Sequence, residues 1–175
     1  MLILQTVIKM FNKMREIENT NTLFIICPFC QLENYLRTKF GEDVFFMTAT
    51  AGVLNFSEAE ITAIKDFIER EQISTICVVN DVACNFIDEA IANKKEFGLY
   101  CERELRLLLQ NLDLIMESKH SWKEKRELLA HANVTKQLEY LNSEKIFKQE
   151  IQVSGINTRI LITNKNKINN TIKSS

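Results

Sequence analysis

The chain has 175 residues, 46% of them hydrophobic and 26% charged, with 4 Gly, 1 Pro and a net charge of −1. This length and composition are those of one ordinary globular domain that buries a core, with short loops and much helix. The balanced charge argues against a nucleic-acid-binding protein, and no apolar run reaches the roughly 18 residues that a membrane span needs.

Residues 1–20 have the spacing of an amphipathic helix, with Leu4, Val7, Ile8 and Phe11 on one side. Charges come late in this segment and no small-residue cleavage site follows, so it does not have the pattern of a secretory signal. We interpret it as a helical arm that precedes a domain over 21–163, and we expect the Asn/Lys-rich tail, 164–175, to be disordered. Five cysteines, an odd number, then indicate free thiols in a reducing, cytoplasmic compartment.

Three apolar runs, each followed by helical spacing, predict alternating strands and helices. The strands are expected at 23–26, 44–47 and 73–79, and Ser57 with Glu60 forms a capping box at the start of one helix. The run at 44–47 is typical of a strand covered on both faces. Longer helices are predicted over 102–116 and 123–141, and two strands, 151–153 and 159–162, flank a turn at Gly155. This alternation indicates an α/β fold with a mainly parallel sheet flanked by helices.

The first strand leads into Cys27-Pro28-Phe29-Cys30, which has more than one interpretation. As a redox motif it resembles the glutaredoxin active site, where a helix N-terminus stabilises the first thiolate. That family also places a cis-proline beside its cysteines, whereas Pro28 is the only proline here. Alternatively, the cysteines are buried as small apolar side chains, which we expect for Cys77 inside its strand.

A third interpretation joins two distant stretches in one metal site. Cys27 follows the first strand, and Asp81-Val82-Ala83-Cys84 follows the third. Because the carboxyl ends of parallel strands meet at one edge of a sheet, these side chains can converge on a single ion.

The order of several features over about 140 residues resembles that of the β-class carbonic anhydrases. The matching residues are Cys27, Ala51-Gly52, Ser57, Cys84, Asn133-Val134 with Gln137 and Leu141, and Gly155. The resemblance implies a Rossmann-like sheet with a C-terminal hairpin strand. It also implies a homodimer clasped through the N-terminal helix, and zinc as the cofactor.

The departures from this family concern its active site. The family's Asp–Arg dyad falls on Phe29 and Gln31, and its zinc-binding His falls on Asp81. We therefore predict metal ligands Cys27, Asp81 and Cys84, with Cys30 as a fourth. The predicted function is that of a pseudoenzyme with little or no carbon dioxide hydration and a binding or structural role. The alternatives are a zinc-dependent lyase with a Cys-Asp-Cys site and a thiol-disulfide redox protein that uses Cys27 and Cys30.

Overall fold

The computed structural model describes residues 21–93, 98–112, 120–143 and 155–164. The expected arm at 1–20, the hairpin strand at 151–153 and the tail from 165 onward lie outside these ranges, so their structures stay predictions. The described elements, in chain order, are β1 (Thr22–Ile26), α1 (Glu33–Phe40), β2 (Val44–Thr48), α2 (Glu58–Arg70), β3 (Thr75–Asp81), α3 (Asn85–Ile91), α4 (Tyr100–Leu112), α5 (Trp122–Leu141) and β4 (Asn157–Thr163). Short 3-10 turns cover Pro28–Cys30 and Thr50–Gly52.

The four described strands form one parallel sheet in the order β2-β1-β3-β4. Thr22 pairs with Val44 on one side and with Thr75 on the other, so the central strands β1 and β3 end side by side. The prediction of a mainly parallel α/β sheet flanked by helices is confirmed. Because successive parallel strands need crossover connections, the loops after β1, β2 and β3 gather at one edge of the sheet.

Alternate side chains of the central strands fill two separate cores, one on each face of the sheet. Phe24 and Ile26 of β1 join one core, with α1, α3, α4 and part of α5. Leu23 and Ile25 join the other, with α2 and the remainder of α5. Both central strands are buried along their whole length. Burial on both faces explains their continuous apolar sequences.

The second strand lies at an edge of the sheet, and its two faces are covered in part and not fully. Its residues Phe45, Phe46 and Met47 are half-buried. The ring of Phe45 packs against Phe67 of α2, and Phe46 packs against Phe24. A continuous apolar run therefore arises here because helices and neighbouring side chains cover both faces in part.

The capping box predicted at Ser57 is present. The Ser57 Oγ accepts a hydrogen bond from the Glu60 N–H, and the Glu60 carboxylate accepts one from the Ser57 N–H. These two bonds satisfy backbone donors that a helix N-terminus leaves without partners, which fixes the start of α2. Within the described ranges, none of the helices is both long enough and apolar enough to cross a membrane.

Candidate metal centre

The segment after β1 turns sharply and brings two thiols to the same side of the chain. The Cys30 N–H donates to the Cys27 carbonyl at 3.0 Å, which closes a 3-10 turn with Pro28 in its first position. Proline suits this position because it has no N–H to leave without a partner. Gln31 follows in the left-handed region, at φ 51°, and redirects the chain into α1. Cys27 and Cys30 are consequently buried while Pro28 and Phe29 are exposed.

The segment after β3 makes a similar turn and presents the third thiol. The Cys84 N–H donates to the Asp81 carbonyl at 3.0 Å. The carboxylate of Asp81 accepts a second hydrogen bond, at 2.8 Å, from the N–H of Ala83. Asp81 thus shapes the turn with its own side chain, as Asp often does in tight turns. Cys84 then occupies the N-cap position of α3.

The sulfur atoms of Cys27, Cys30 and Cys84, here called the thiol cluster, lie within 4.8 Å of one another. The Cys84 thiol donates to the Cys27 sulfur across 4.0 Å. Each of the three residues is at most 2% exposed, and all are free cysteines. The convergence of Cys27 and Cys84 at one sheet edge is therefore confirmed, and Cys30 joins them.

Negative charge in the thiol cluster concentrates on Cys27. Hydrogen bonds from the Cys30 and Cys84 thiols, together with backbone N–H groups of Ala51 and Phe29, lower the pKa of Cys27 to about 3. The hydrogen bond that the Cys84 thiol donates to the Cys27 sulfur raises the pKa of Cys84 to about 12. The same interaction with Cys27 raises the pKa of Cys30. Cys27 is therefore the sulfur of the cluster that most readily carries a negative charge.

A backbone N–H from the loop after β2 completes the surroundings of the Cys27 sulfur. The Ala51 N–H donates to it at 3.2 Å, and the Ala51 carbonyl accepts from the Asn133 side-chain amide at 2.9 Å. The Gln137 amide donates to Asn133, and its carbonyl oxygen accepts from the Leu54 N–H at 2.9 Å. Asn133 and Gln137, one helical turn apart on α5, thus fix the loop that carries the Ala51 N–H.

Gly52 lets this loop approach β3 closely. Its φ is +70°, and a Cβ atom there would lie 3.2 Å from the Val79 carbonyl oxygen. Gly155 has a similar φ of +66°, but no atom of the described residues lies within 4 Å of the corresponding position. We expect Gly52→Ala to lower the free energy of unfolding by about 2–3 kcal/mol and Gly155→Ala by about 1 kcal/mol. Both substitutions introduce left-handed strain, but only the first pushes the loop off β3.

Urea denaturation of the two alanine variants measures this difference directly. Equal losses of stability in the two variants would contradict the close approach of Gly52 to Val79.

Solved structures with a similar fold were found, although no protein-family model matches the sequence and no curated protein matches it. One is a tetrameric β-carbonic anhydrase from Sordaria macrospora, with a TM-score of 0.70, 18% identity, and coverage of 87% of this chain and 79% of that chain. The β-carbonic anhydrase CafA of Aspergillus fumigatus gives a TM-score of 0.70 at 20% identity, covering 90% of this chain and 77% of its own. A Coccomyxa β-carbonic anhydrase in complex with acetazolamide gives 0.60 at 11% identity, covering 91% and 80%.

The chain has the fold of the β-carbonic anhydrases. The thiol cluster lies at the edge of this fold where the sequence resemblance placed Cys27 and Cys84. The loop at Ala51-Gly52 follows β2, which is consistent with that resemblance.

The positions assigned to the family's catalytic dyad do not face the thiol cluster. Phe29 is 61% exposed, and its ring packs edge-on against Phe86 at 5.5 Å. Gln31 is exposed as well. An aromatic ring accepts no conventional hydrogen bond and a glutamine carries no charge. Neither side chain therefore supplies the acid–base pair that the β-carbonic anhydrase resemblance associates with these positions.

Asp81, the predicted third ligand, is fully buried and uses both carboxylate oxygens in hydrogen bonds. One accepts from Ala83, and the other accepts from the Thr163 hydroxyl of β4 at 2.6 Å. Its role as a metal ligand stays a prediction. Cys30, predicted only as an additional ligand, contributes the third donor of the cluster.

The donor set suits zinc. Zn–S bonds of ~2.3 Å in a tetrahedral site separate two sulfurs by about 3.8 Å, close to the 4.0 Å between Cys27 and Cys84. Thiolates are common zinc ligands, and the negative charge of each bound thiolate makes the zinc ion less electrophilic. Cys27, Cys30 and Cys84 are therefore the residues that would hold the ion.

The remaining two cysteines are not part of the cluster. Cys77 lies inside β3, and burial raises its pKa to about 12. Burial is also the main reason that the pKa of Cys101 rises to about 11. The expectation that Cys77 serves as a small apolar side chain of the core is confirmed by its complete burial.

A cavity of about 240 Å³ opens beside the end of β2, and Cys101 forms part of its wall. Thr48, Thr50 and Tyr100 contribute hydroxyl groups to the lining, and Glu60 is its charged side chain. No lysine, arginine or histidine lines the cavity in the part of the chain that the structure describes.

Proposed function

We propose that this protein binds zinc through Cys27, Cys30 and Cys84 in a β-carbonic anhydrase fold and does not hydrate carbon dioxide at a useful rate. The observation that supports this most is the meeting of three buried sulfurs within 4.8 Å. Bound zinc in a hydrating enzyme supplies an activated water, whose pKa is ~7 with neutral histidine ligands. The role that remains for zinc held by this cluster is structural.

The charge of the donor set opposes hydration. Two thiolates and a neutral histidine leave a zinc site at net zero, whereas three thiolates leave it at −1. Extra anionic charge raises the pKa of a zinc-bound water, so less hydroxide forms at neutral pH. If Asp81 binds as a fourth ligand, no position stays open for substrate. The sequence-based alternative, a zinc-dependent lyase with a Cys-Asp-Cys site, requires an open position and the Asp–Arg dyad whose positions Phe29 and Gln31 occupy here.

A stopped-flow hydration assay at pH 8 tests this proposal on zinc-loaded protein whose metal content has been measured. We expect a rate indistinguishable from that of buffer. Phe29 and Gln31 stand at the positions of the Asp–Arg dyad, and the zinc site with three thiolates has a net charge of −1. An active β-carbonic anhydrase assayed in parallel serves as the positive control. Hydration at a rate typical of the active enzyme would refute the proposed role and support the lyase alternative.

The redox alternative has one feature in its favour, the low pKa of the Cys27 thiol. Reactive cysteines, however, combine a low pKa with access to their substrates. Cys27 is 1% exposed and Cys30 is 2% exposed, so a partner disulfide does not reach either sulfur in this conformation. The burial therefore favours metal binding over thiol-disulfide exchange. Homodimer formation through residues 1–20 and a cytoplasmic location, both expected from the sequence, stay predictions.

A further inference from the structure

The thiol cluster brings together three soft donors from the part of the chain that the structure describes. Within the described ranges, Cys27, Cys30 and Cys84 are the group whose donor atoms all lie within ligand-to-ligand distance. Both oxygens of Asp81 are occupied by hydrogen bonds from Ala83 and Thr163. A centre that takes three ligands needs no donor beyond these three sulfurs, whereas zinc almost always takes four.

The surroundings of the cluster favour a complex without net charge, because the hydrogen bond from the Cys84 thiol to the Cys27 sulfur is lost once all three sulfurs bind one centre. The three cysteines belong to a core that also contains Leu32, Val53, Val82 and Ile87. Net charge in such an interior carries a large desolvation penalty. Three thiolates give −2 with a monovalent ion such as Cu⁺, −1 with Zn²⁺, and zero with a trivalent centre.

We propose that the thiol cluster binds trivalent arsenic, with one As–S bond to each of Cys27, Cys30 and Cys84. Arsenous acid, As(OH)₃, is uncharged at neutral pH and carries three exchangeable hydroxyl groups. Three As–S bonds form and three As–O bonds break. Two hydroxyl groups leave as water with the protons of the Cys30 and Cys84 thiols, and the third leaves as water with a proton from the solvent, because Cys27 is already a thiolate. The oxidation states of arsenic and sulfur do not change, and the product is neutral.

A trivalent arsenic centre is pyramidal and takes three ligands, which is the number of sulfurs that the cluster brings within 4.8 Å of one another. Its lone pair occupies the fourth direction, so no further donor is required. The turn hydrogen bonds Cys30 N–H to Cys27 carbonyl and Cys84 N–H to Asp81 carbonyl, each 3.0 Å long, hold the three sulfurs at one edge of the sheet. Thiolate is the soft ligand that thiophilic centres select. This inference rests on the same thiol cluster as the proposed function, but not on the presence of zinc.

The test is titration of reduced, metal-free, full-length protein with arsenite. We expect one equivalent to bind, with sulfur-to-arsenic charge-transfer absorption in the near ultraviolet. The intact protein should gain the mass of one arsenic atom less that of three hydrogens. Cys30→Ala should weaken binding by about 100-fold or more, beyond the roughly 10–100-fold that loss of an outer partner of a metal site costs.

Cys77→Ala is the matched control, since Cys77 is equally buried but lies inside β3. It should bind arsenite as the wild type does. Circular dichroism spectra of Cys30→Ala and Cys77→Ala should match that of the wild type, which checks that both variants fold. Failure of the wild type to bind arsenic, a mass change with only two hydrogens lost, or equal weakening by Cys77→Ala would each overturn the inference. Arsenite binding without zinc binding would refute the proposed function alone, and zinc binding without arsenite binding would refute this inference alone.

Discussion

Cys27→Ala is expected to abolish stable zinc binding and to raise the dissociation constant by about 1,000-fold or more. Structural zinc sites have binding free energies of roughly 10–16 kcal/mol, so the loss is a large part of the total. The Cys27 sulfur is the hydrogen-bond acceptor for its neighbours in the cluster. The Cys84 thiol donates to its sulfur across 4.0 Å and the Ala51 N–H does so at 3.2 Å. Removal of this sulfur leaves two thiols that no longer share a common acceptor.

Elemental analysis of protein purified without chelator measures this effect, and competition with a chromophoric zinc chelator gives the dissociation constants. Cys77→Ala is again the control, because it removes a buried thiol outside the cluster and should leave zinc content unchanged. Chelation should also lower the melting temperature of the wild type but not that of Cys27→Ala, since a ligand stabilises only the state that binds it. Full zinc content in Cys27→Ala would show that the ion is held elsewhere.

Zinc affinity is expected to fall steeply as the pH falls from 8 to 6, by about 100-fold per pH unit. The sign follows from the pKa shifts in the cluster. Cys27, with a pKa of about 3, is already a thiolate over this range and releases no proton when zinc binds. Cys84, with its pKa raised to about 12, and Cys30, whose pKa is also raised, must each lose a proton. Two protons therefore compete with one zinc ion.

Calorimetry in buffers of different ionisation enthalpy counts these protons independently. A release of two protons per zinc would agree with one thiolate shared among three sulfurs. A release of three would show that Cys27 is protonated in the metal-free protein, contrary to the hydrogen-bond arrangement described above. An affinity independent of pH would show that the thiols are not the ligands.

Several features of the fold could be predicted because their signals are local. The capping box at Ser57 depends on a serine and a glutamate three residues apart, which is less than one helical turn. The central strands β1 and β3 could be predicted from continuous apolar runs, which arise because both faces of each strand are buried. The meeting of Cys27 and Cys84 followed from a general rule of parallel sheets together with the family resemblance, and their sulfurs lie 4.0 Å apart.

Other features depend on contacts between distant parts of the chain. The amide of Asn133 holds the carbonyl of Ala51 from 82 residues away, a pairing that the motif around Asn133 does not specify. The edge position of β2 was missed because partial cover by helices produces the same apolar run as full burial. The carboxylate of Asp81 is engaged by Thr163, which only the pairing of β4 with β3 brings near.

The sequence by itself determined the α/β alternation, the start of α2 and the two strand ends that carry cysteine, because each depends on residues a few positions apart. The tertiary structure alone decided that Cys30 points into the cluster while Phe29 and Gln31 point out of it. The physical reason is that side-chain direction in the short turn after β1 is set by the left-handed backbone at Gln31 and by packing against residues far along the chain. A Cys-x-x-Cys spacing fixes neither of these.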